Sequence, residues 1–151
     1  MSENDFSCVV NIKKLTPDAH VPQYAHFGDS GADLFSTADC TLQPMERHAV
    51  STGLAAEIPA GFELQVRPKS GLALKSGLTV LNTPGTIDFG YRGEIKVILI
   101  NLSSEPYHIE KGQKIAQLVV APIAYAEFKE VNELSDTTRG EGGFGSTGLN
   151  K

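Results

Sequence analysis

The clearest structural pattern in the chain is Phe62-Glu-Leu-Gln-Val-Arg67. Along this stretch Phe62, Leu64 and Val66 alternate with polar residues, so the apolar side chains share one face of an extended chain. A period of two predicts a β-strand with one buried face and one solvent-facing face. The stretch therefore predicts one strand of a sheet that covers a core.

Two longer apolar runs predict central strands. Residues 95–100 and 117–120 are β-branched or apolar almost throughout, which is typical of strands covered on both faces. Helices are predicted only over residues 70–75 and 131–134, each a turn or two long. Because Gly and Pro separate the strand-like runs, the pattern favours an all-β sandwich or barrel. Further short strands are predicted at residues 9–12, within 50–58, at 79–81 and at 107–109.

The composition of the 151-residue chain, with 40% hydrophobic residues, fits one compact domain. The chain has 13 Lys and Arg against 18 Asp and Glu, a net charge of −5. It therefore lacks the basic excess that binding a polymeric nucleic acid requires. A small anion is still compatible, because a pocket can gather a few donors on a negative protein.

The cysteines and the chain start indicate a reducing, membrane-free setting. Cys8 and Cys40 are the only cysteines and form no C-x-x-C pair, so neither a disulfide framework nor a zinc site is indicated. The first residues are acidic, unlike a secretory signal, and no apolar run approaches the ~20 residues that span a bilayer. We expect a soluble cytoplasmic protein, with the nucleus also open if the source is eukaryotic.

One candidate catalytic group is Asp88, within Gly85-Thr-Ile-Asp-Phe-Gly-Tyr-Arg-Gly93. It is expected in a hairpin-like connection between a strand ending near Leu81 and another starting near Glu94. An isolated Asp in such a place most often only caps the turn through the backbone. Here an acid, a phenol and three glycines share nine positions, which favours a functional loop.

Four other segments each have a functional and a structural interpretation. Gly28-Asp-Ser-Gly-Ala-Asp-Leu34 is an acidic loop or an ordinary turn before a strand. Arg67-Pro-Lys-Ser-Gly71 offers donors for phosphate oxygens, or is a strand end followed by a helix cap. The amide of Gln117, among apolar neighbours, needs a ligand or nearby backbone to satisfy it. The glycine-rich tail is a flexible terminus, or a lid in which Phe144 stacks on a flat ligand.

In order, these segments resemble the five motifs of trimeric dUTPases. The resemblance runs from about Tyr24 to Gly148 and includes spacing as well as residue types. It implies a jelly-roll-like β-barrel over residues 1–135 and a flexible arm over residues 136–151, in a homotrimer whose three active sites lie at subunit junctions. The matching stretches are Gly31-Ala-Asp-Leu34, Pro68-Lys-Ser-Gly-Leu-Ala73, Asn82 with Gly85 to Gly93, Gly112-Gln-Lys-Ile-Ala-Gln117 and Arg139-Gly-Glu-Gly-Gly-Phe-Gly-Ser-Thr-Gly148.

The resemblance implies a magnesium-dependent hydrolysis of dUTP to dUMP and pyrophosphate, which limits uracil in DNA and supplies dUMP for thymidylate synthesis. Asp88 would be the general base that activates water for attack on the α-phosphate. Asp33 would support the site through water and Mg²⁺, and the ion itself would be held by substrate phosphates and waters without direct protein ligands.

The resemblance also implies the substrate contacts. Asn82 and the backbone of the following residues would read uracil, Tyr91 would pack against the deoxyribose, and Phe144 would stack over the base. The second motif more often has Arg where this chain has Lys69, which keeps the charge but loses a bidentate fork. The full implied set is Lys69, Ser70, Gly71, Asn82, Gly85, Thr86, Ile87, Tyr91, Lys96, Gln117, Arg139, Gly143, Phe144, Gly145, Ser146 and Thr147.

Two rival functions share part of this pattern. A dCTP deaminase, or a bifunctional deaminase and hydrolase, would share the barrel. A catalytically silent nucleotide-binding or regulatory trimer is the other alternative. The segment around Tyr91 and the complete glycine-rich arm favour the hydrolase over the deaminase, and the presence of both Asp88 and Asp33 argues against a silent protein.

Overall fold

The computed structural model describes residues 8–150, which form eleven strands and one short helix. The prediction of an all-β fold is confirmed. In chain order the elements are β1 (Asn11–Lys14), β2 (Gly31–Phe35), β3 (Cys40–Leu42), β4 (Arg47–Ser51), β5 (Leu54–Glu57), β6 (Phe62–Arg67), α1 (Ser70–Ser76), β7 (Leu78–Val80), β8 (Gly85–Ile87), β9 (Lys96–Asn101), β10 (Tyr107–Ile109) and β11 (Lys114–Pro122).

Two antiparallel sheets hold most of the strands. The first has the order β2-β11-β6-β8 and the second has the order β4-β9-β7. Strands β1 and β5 form a separate pair, as do β10 and β3. Both β9 and β11 have a neighbour on each side, so the prediction that these two apolar runs are central strands is confirmed.

The alternation in β6 places its residues as predicted. Leu64 and Val66 are buried, whereas Arg67 at the end of the strand is exposed. Their side chains join a core that β9 and β11 fill with Leu99 and Ile115, each 1% exposed. Burying a side chain of this size contributes roughly 1.5–3 kcal/mol, so the barrel is stable on packing and positions its polar groups at strand ends.

Some local predictions were wrong or only partly right. Residues 131–134 form no helix, because four residues cannot repay helix nucleation without packing, and Leu134 is 86% exposed. The short strands predicted within residues 50–58 are present as the end of β4 and the whole of β5, and they are separated at Gly53, where φ is 67°. The strand predicted at residues 9–12 begins at Asn11 and runs to Lys14.

The two acidic segments also sit differently from the predictions. Asp33 lies inside β2 rather than in a loop. Asp88 does not lie in a simple hairpin: β7 and β9 do pair, but the chain between them leaves to form β8, which pairs with β6 in the other sheet. Asp88 therefore lies on a crossing between sheets. No helix among residues 8–150 is long and apolar enough to cross a membrane.

Candidate active site

Four of the motifs meet at one end of the four-stranded sheet. Gln117 in β11 is opposite Asp33 in β2 on one side and opposite Arg67 in β6 on the other. On the next strand, Gly85 is opposite Val66. Antiparallel pairing therefore gathers the end of β2, the end of β6 and the starts of β8 and β11 at a single edge.

Asp33 is the electrostatic centre of this edge. The residue is only 5% exposed. Lys69 Nζ donates to its Oδ1, and Lys114 Nζ lies 2.7 Å from its Oδ2. Burial raises the pKa of Asp33, but the hydrogen bonds and charges of Lys114 and Lys69 outweigh that effect and hold the pKa below 3.8. Two ammonium groups against one carboxylate leave a net charge of +1, which suits an anionic ligand.

Lys114 was missed by the sequence interpretation. It lies within the fourth motif, three residues before Gln117, but nothing in the sequence connects it with Asp33. The signal that could have identified it is the third position of Gly112-Gln-Lys-Ile-Ala-Gln117, a cation at the start of a strand that carries another proposed ligand.

Asp33→Asn is expected to lower the free energy of unfolding at pH 7 by about 1–3 kcal/mol, because a neutral amide cannot match two charged donors. The pKa of Asp33 is lower in the folded state than in the unfolded state. The charged carboxylate therefore stabilises the fold fully above the unfolded pKa of about 3.9, and this stabilisation is lost as pH falls through the folded pKa. Urea unfolding at pH 7 and pH 3, with Asp136→Asn as an exposed control, measures this. If the free energies of unfolding of Asp33→Asn and the wild type differ equally at both pH values, the charge-based account is contradicted.

Gln117 ties the second motif to β11. Its Nε2 donates to the backbone oxygen of Pro68 at 2.9 Å. Of the two partners predicted for this amide, a ligand or nearby backbone, the structure contains the bond to backbone. The side chain also lies directly over Gly31, where an added Cβ would be 2.8 Å from Gln117 Cδ. A side chain at position 31 would therefore displace the end of Gln117 from the place where it donates to Pro68.

The residues after Pro68 present donors at the start of α1. Lys69 is the N-cap residue and makes no side-chain cap hydrogen bond, which leaves the first backbone N–H groups of α1 without that partner. Ser70 and Gly71 are exposed, and no atom lies within 4 Å of a Cβ built on Gly71. A hydroxyl and a backbone amide are thus open to solvent directly after Lys69, whose ammonium is bound to Asp33.

Asp88 and Tyr91 form a second cluster at the far end of β8. The Tyr91 N–H donates to the backbone oxygen of Asp88 at 3.0 Å, which closes a turn. The Asp88 side chain is exposed, and within residues 8–150 its carboxylate has no hydrogen bond or ion pair. Arg92 Nη1 braces the turn by donating to the Phe89 oxygen at 2.8 Å.

The phenol of Tyr91 is fixed by its own loop. Its hydroxyl donates to the backbone oxygen of Glu94 at 3.0 Å. A Cβ built on Gly93 would be 2.6 Å from Tyr91 Cζ, so the ring crosses directly over that glycine. Any side chain at position 93 would displace the ring.

Residues between the two clusters have mixed environments. The Asn82 side chain lies over Gly85, where an added Cβ would be 3.4 Å from Asn82 Nδ2. Thr86 is exposed, whereas Ile87 is buried in the core, so only its backbone can face a ligand. Lys96 lies on β9, with Nζ 3.8 Å from Glu94 Oε2.

A single chain keeps the two clusters apart. Gly85 lies beside the cluster of Asp33, Lys69 and Gln117, and Asp88 follows three residues later, a rise of about 10 Å along an extended chain. The structure therefore brings Asp33, Lys69 and Gln117 together, and places Asp88 and Tyr91 elsewhere.

The described residues of the predicted arm make no hydrogen bond to either cluster. After the bond from Ile123 N to Gly61 O, at 2.9 Å, the described hydrogen bonds of the tail join only tail residues to one another. Arg139 Nε, for example, donates to the oxygen of Gly142 at 2.8 Å. The Phe144 ring is fully exposed on a residue with φ 49°, a rare backbone conformation for a bulky side chain. The other predicted arm contacts, which make no bond to either cluster, are Gly143, Gly145, Ser146 and Thr147.

A family model described as dUTPase matches residues 17–148. The chain belongs to the dUTPase family. This family member is 56% identical over 138 residues to deoxyuridine 5'-triphosphate nucleotidohydrolase of Clostridium novyi (strain NT), covering 91% of this chain and 97% of that relative. The enzyme of the same name from Hydrogenobaculum sp. (strain Y04AAS1) is 59% identical over 139 residues, covering 91% of this chain and 96% of the relative.

The solved structures agree with this assignment. The dUTPase of Staphylococcus bacteriophage 80alpha, solved with dUPNHPP, matches this family member with a TM-score of 0.88 and 32% identity, covering 93% of this chain and 99% of that one. The family and the jelly-roll-like β-barrel that the motifs imply are thereby confirmed. A variant dUTPase of phage phi11 of S. aureus, with TM-score 0.79 and 27% identity over 85% of this chain and 100% of that one, was solved to describe a structural Mg(II) ion.

Proposed function

We propose that the protein hydrolyses dUTP to dUMP and pyrophosphate, with Asp88 as the base that activates the attacking water. The observation that carries this assignment is the contrast between two carboxylates. Asp33 is buried and held by two lysines, whereas Asp88 is exposed and has no partner within residues 8–150. Two carboxylates in such different surroundings are suited to different roles.

The reaction needs positioning more than covalent chemistry. The Asp88 carboxylate takes a proton from water as the water oxygen bonds to the α-phosphorus in line. The bond from that phosphorus to the bridging oxygen breaks, and pyrophosphate leaves with the electron pair. The ammonium of Lys69, the donors at Ser70 and Gly71, and the amide of Gln117 hold the phosphate oxygens during the transfer.

Magnesium fits this donor set as an ion carried by the substrate. Within residues 8–150 no group of three or more His, Cys, Asp or Glu side chains could hold a metal, so a cage built by one chain is not available there. Mg²⁺ commonly keeps several waters and binds through substrate phosphates. When bound it would neutralise charge on the triphosphate. Asp33, whose oxygens face Lys69 and Lys114, acts mainly as a positioning residue for those cations, and a water-mediated link to the ion stays a prediction.

A homotrimer supports the complete site. The cluster of Asp33, Lys69 and Gln117 and the cluster of Asp88 and Tyr91 lie at opposite ends of β8, and in the proposed site each cluster comes from a different subunit. The tail exposes Tyr125 and Phe128 at 99% and 96%, which is typical of side chains that another subunit covers. The arm of a further subunit would bring Arg139 and Phe144 to the bound nucleotide.

Substrate choice follows from the same groups. Asn82 and the backbone of residues 85–87 read the uracil edge, where a close fit excludes the thymine methyl and mismatches the cytosine amino group. The Tyr91 ring, fixed over Gly93, lies against C2′ of the sugar and excludes a 2′-hydroxyl. In the cell this activity would limit uracil in DNA and supply dUMP.

A comparison of dUTP, dTTP, dCTP and UTP with Mg²⁺ tests the proposal when pyrophosphate and ammonia are both measured. We expect pyrophosphate from dUTP, rates at least roughly 10²-fold lower from the other three, and no ammonia. Equal rates on all four nucleotides would overturn the specificity. Ammonia from dCTP would favour the deaminase, and no product from any nucleotide would favour a silent binding protein.

A further inference from the structure

The loop that carries Tyr91 ends on a junction with the turn between β4 and β5. Glu94 follows Gly93, and its Oε1 accepts a hydrogen bond from the Ser51 hydroxyl and another from the Gly53 N–H at 3.0 Å. The next residue continues the junction: Ile95 N donates to the Leu54 oxygen at 2.7 Å. A loop end is thus fastened by both its side chain and its backbone.

The partner side of this junction is closely packed. Gly53 has φ 67°, a conformation that glycine adopts without strain. A Cβ built there would be 2.8 Å from Thr16 Oγ1 and 3.0 Å from Ala19 Cβ. Close packing on this side fixes the direction of the Gly53 N–H, which makes it a preorganised donor for the Glu94 carboxylate.

The Glu94 side chain is 24% exposed, so its carboxylate has lost much of its water. Hydrogen bonds to a charged acceptor are stronger than neutral ones and offset this desolvation. Lys96 Nζ, 3.8 Å from the other carboxylate oxygen, adds a weaker attraction. The carboxylate is therefore held in one place, although Glu94 belongs to none of the substrate contacts proposed above.

We propose that Glu94 is a positioning residue that sets sugar discrimination through Tyr91. The acceptor of the Tyr91 hydroxyl is the backbone oxygen of Glu94 itself, at 3.0 Å. Fixing the Glu94 side chain to Ser51 and Gly53 therefore fixes the point to which the phenol is tied. This inference rests on the proposed function, in which the Tyr91 ring lies against C2′.

The Tyr91 ring excludes a 2′-hydroxyl only if it cannot move away from C2′ when UTP binds. A ring tied to a loose loop end would move aside when UTP binds, at a small cost in free energy. A ring tied to a fastened loop end would have to break the Glu94 junction first. Glu94 therefore influences the penalty on UTP more than the rate on dUTP.

The test measures kcat/KM for dUTP and for UTP in Glu94→Ala, Glu94→Gln and the control Glu110→Ala. Glu94→Ala is expected to lower the ratio of kcat/KM for dUTP to kcat/KM for UTP by roughly tenfold or more. The value for UTP rises because the Tyr91 ring can move aside, and this rise is larger than any fall in the value for dUTP. Glu94→Gln keeps an oxygen that accepts from both donors, so it retains most of the discrimination. Glu110 is exposed, and Glu110→Ala keeps the wild-type ratio. A merely structural Glu94 would reduce both values equally and leave the ratio unchanged, which overturns the inference.

Tyr91→Ala separates this inference from the proposed function. If Tyr91→Ala leaves the ratio at its wild-type value, the sugar role of Tyr91 itself is wrong. If Tyr91→Ala relaxes the ratio and Glu94→Ala does not, only the role of Glu94 is wrong. The double variant is expected to discriminate no worse than Tyr91→Ala, because both changes act on one ring.

Ser51→Ala provides the readout if Glu94→Ala does not fold. It removes one of the two donors to Glu94 and only one oxygen atom, so we expect its melting temperature to stay near that of the wild type. An intermediate loss of discrimination in Ser51→Ala supports the inference, and an unchanged ratio contradicts it.

Discussion

Asp88→Asn is expected to lower kcat on dUTP by roughly 10²–10⁴-fold while nucleotide still binds, the usual range for loss of a positioned general base. An amide has nearly the same shape as the carboxylate but cannot take the proton of the attacking water. Because the Asp88 side chain is exposed and holds no partner within the described residues, the substitution breaks no structural contact. The fold and the binding of dUTP are therefore expected to persist.

Single-turnover rates and a binding titration separate these two effects. Glu105→Gln, a change of an exposed carboxylate elsewhere on the surface, is the matched control and keeps wild-type kcat. A loss of affinity as large as the loss of rate would mean that Asp88 binds substrate and does not act as the base. Wild-type turnover in Asp88→Asn would assign the base to another group.

A strand with a long, clear pattern could be predicted from its own period, whereas the three-residue strands β7 and β10 were predicted from the turn signals around them, and β3 and β8 were not predicted. The alternation over residues 62–67 and the apolar run over residues 117–120 each carry enough side chains to indicate a strand, and they became parts of β6 and β11. Strands β3 and β8 have three residues each, too few to show a period. Their strand state comes from pairing with distant partners, such as β8 with β6, which no local pattern contains.

The same limit applies to the site. Residue types in order were enough to indicate the dUTPase motifs, because each motif is a contiguous stretch. The contacts that hold those motifs in place join residues far apart in the chain: Asp33 and Lys69 are 36 positions apart, and Ser51 and Glu94 are 43 apart. Such contacts depend on strand register, so Lys114 and Glu94 became visible only in the folded chain.

Glycines show how register and sequence combine. In the sequence, Gly31 and Gly93 are indistinguishable from ordinary turn glycines. In the fold, neither has a positive φ, and at each one another side chain occupies the space that a Cβ would take. Gln117 lies over the first and Tyr91 lies over the second. A glycine near a proposed ligand can therefore mark a side chain that must pass across it.

Removal of residues 139–151 is expected to lower kcat/KM on dUTP by roughly 10²-fold or more without unfolding the barrel. The arm carries Arg139 and Phe144, which the proposed function places over the phosphates and the uracil. Its described hydrogen bonds stay within the tail, and Phe144 is fully exposed, so the barrel loses no core contact when the arm is absent. The effect falls on catalysis rather than on stability.

One further variant is the control for this prediction, and a second tests its physical cause. Removal of only residues 149–151, which lie beyond the fifth motif, is expected to keep most of the activity. Phe144→Ala in the full chain is expected to lower kcat/KM by roughly 5–150-fold, since stacking of a base on an aromatic ring contributes about 1–3 kcal/mol. Melting temperature and sedimentation show whether the barrel and its assembly persist. Loss of the assembled state on truncation would mean that the arm holds subunits together, because activity would then fall with assembly and not with closure over the nucleotide.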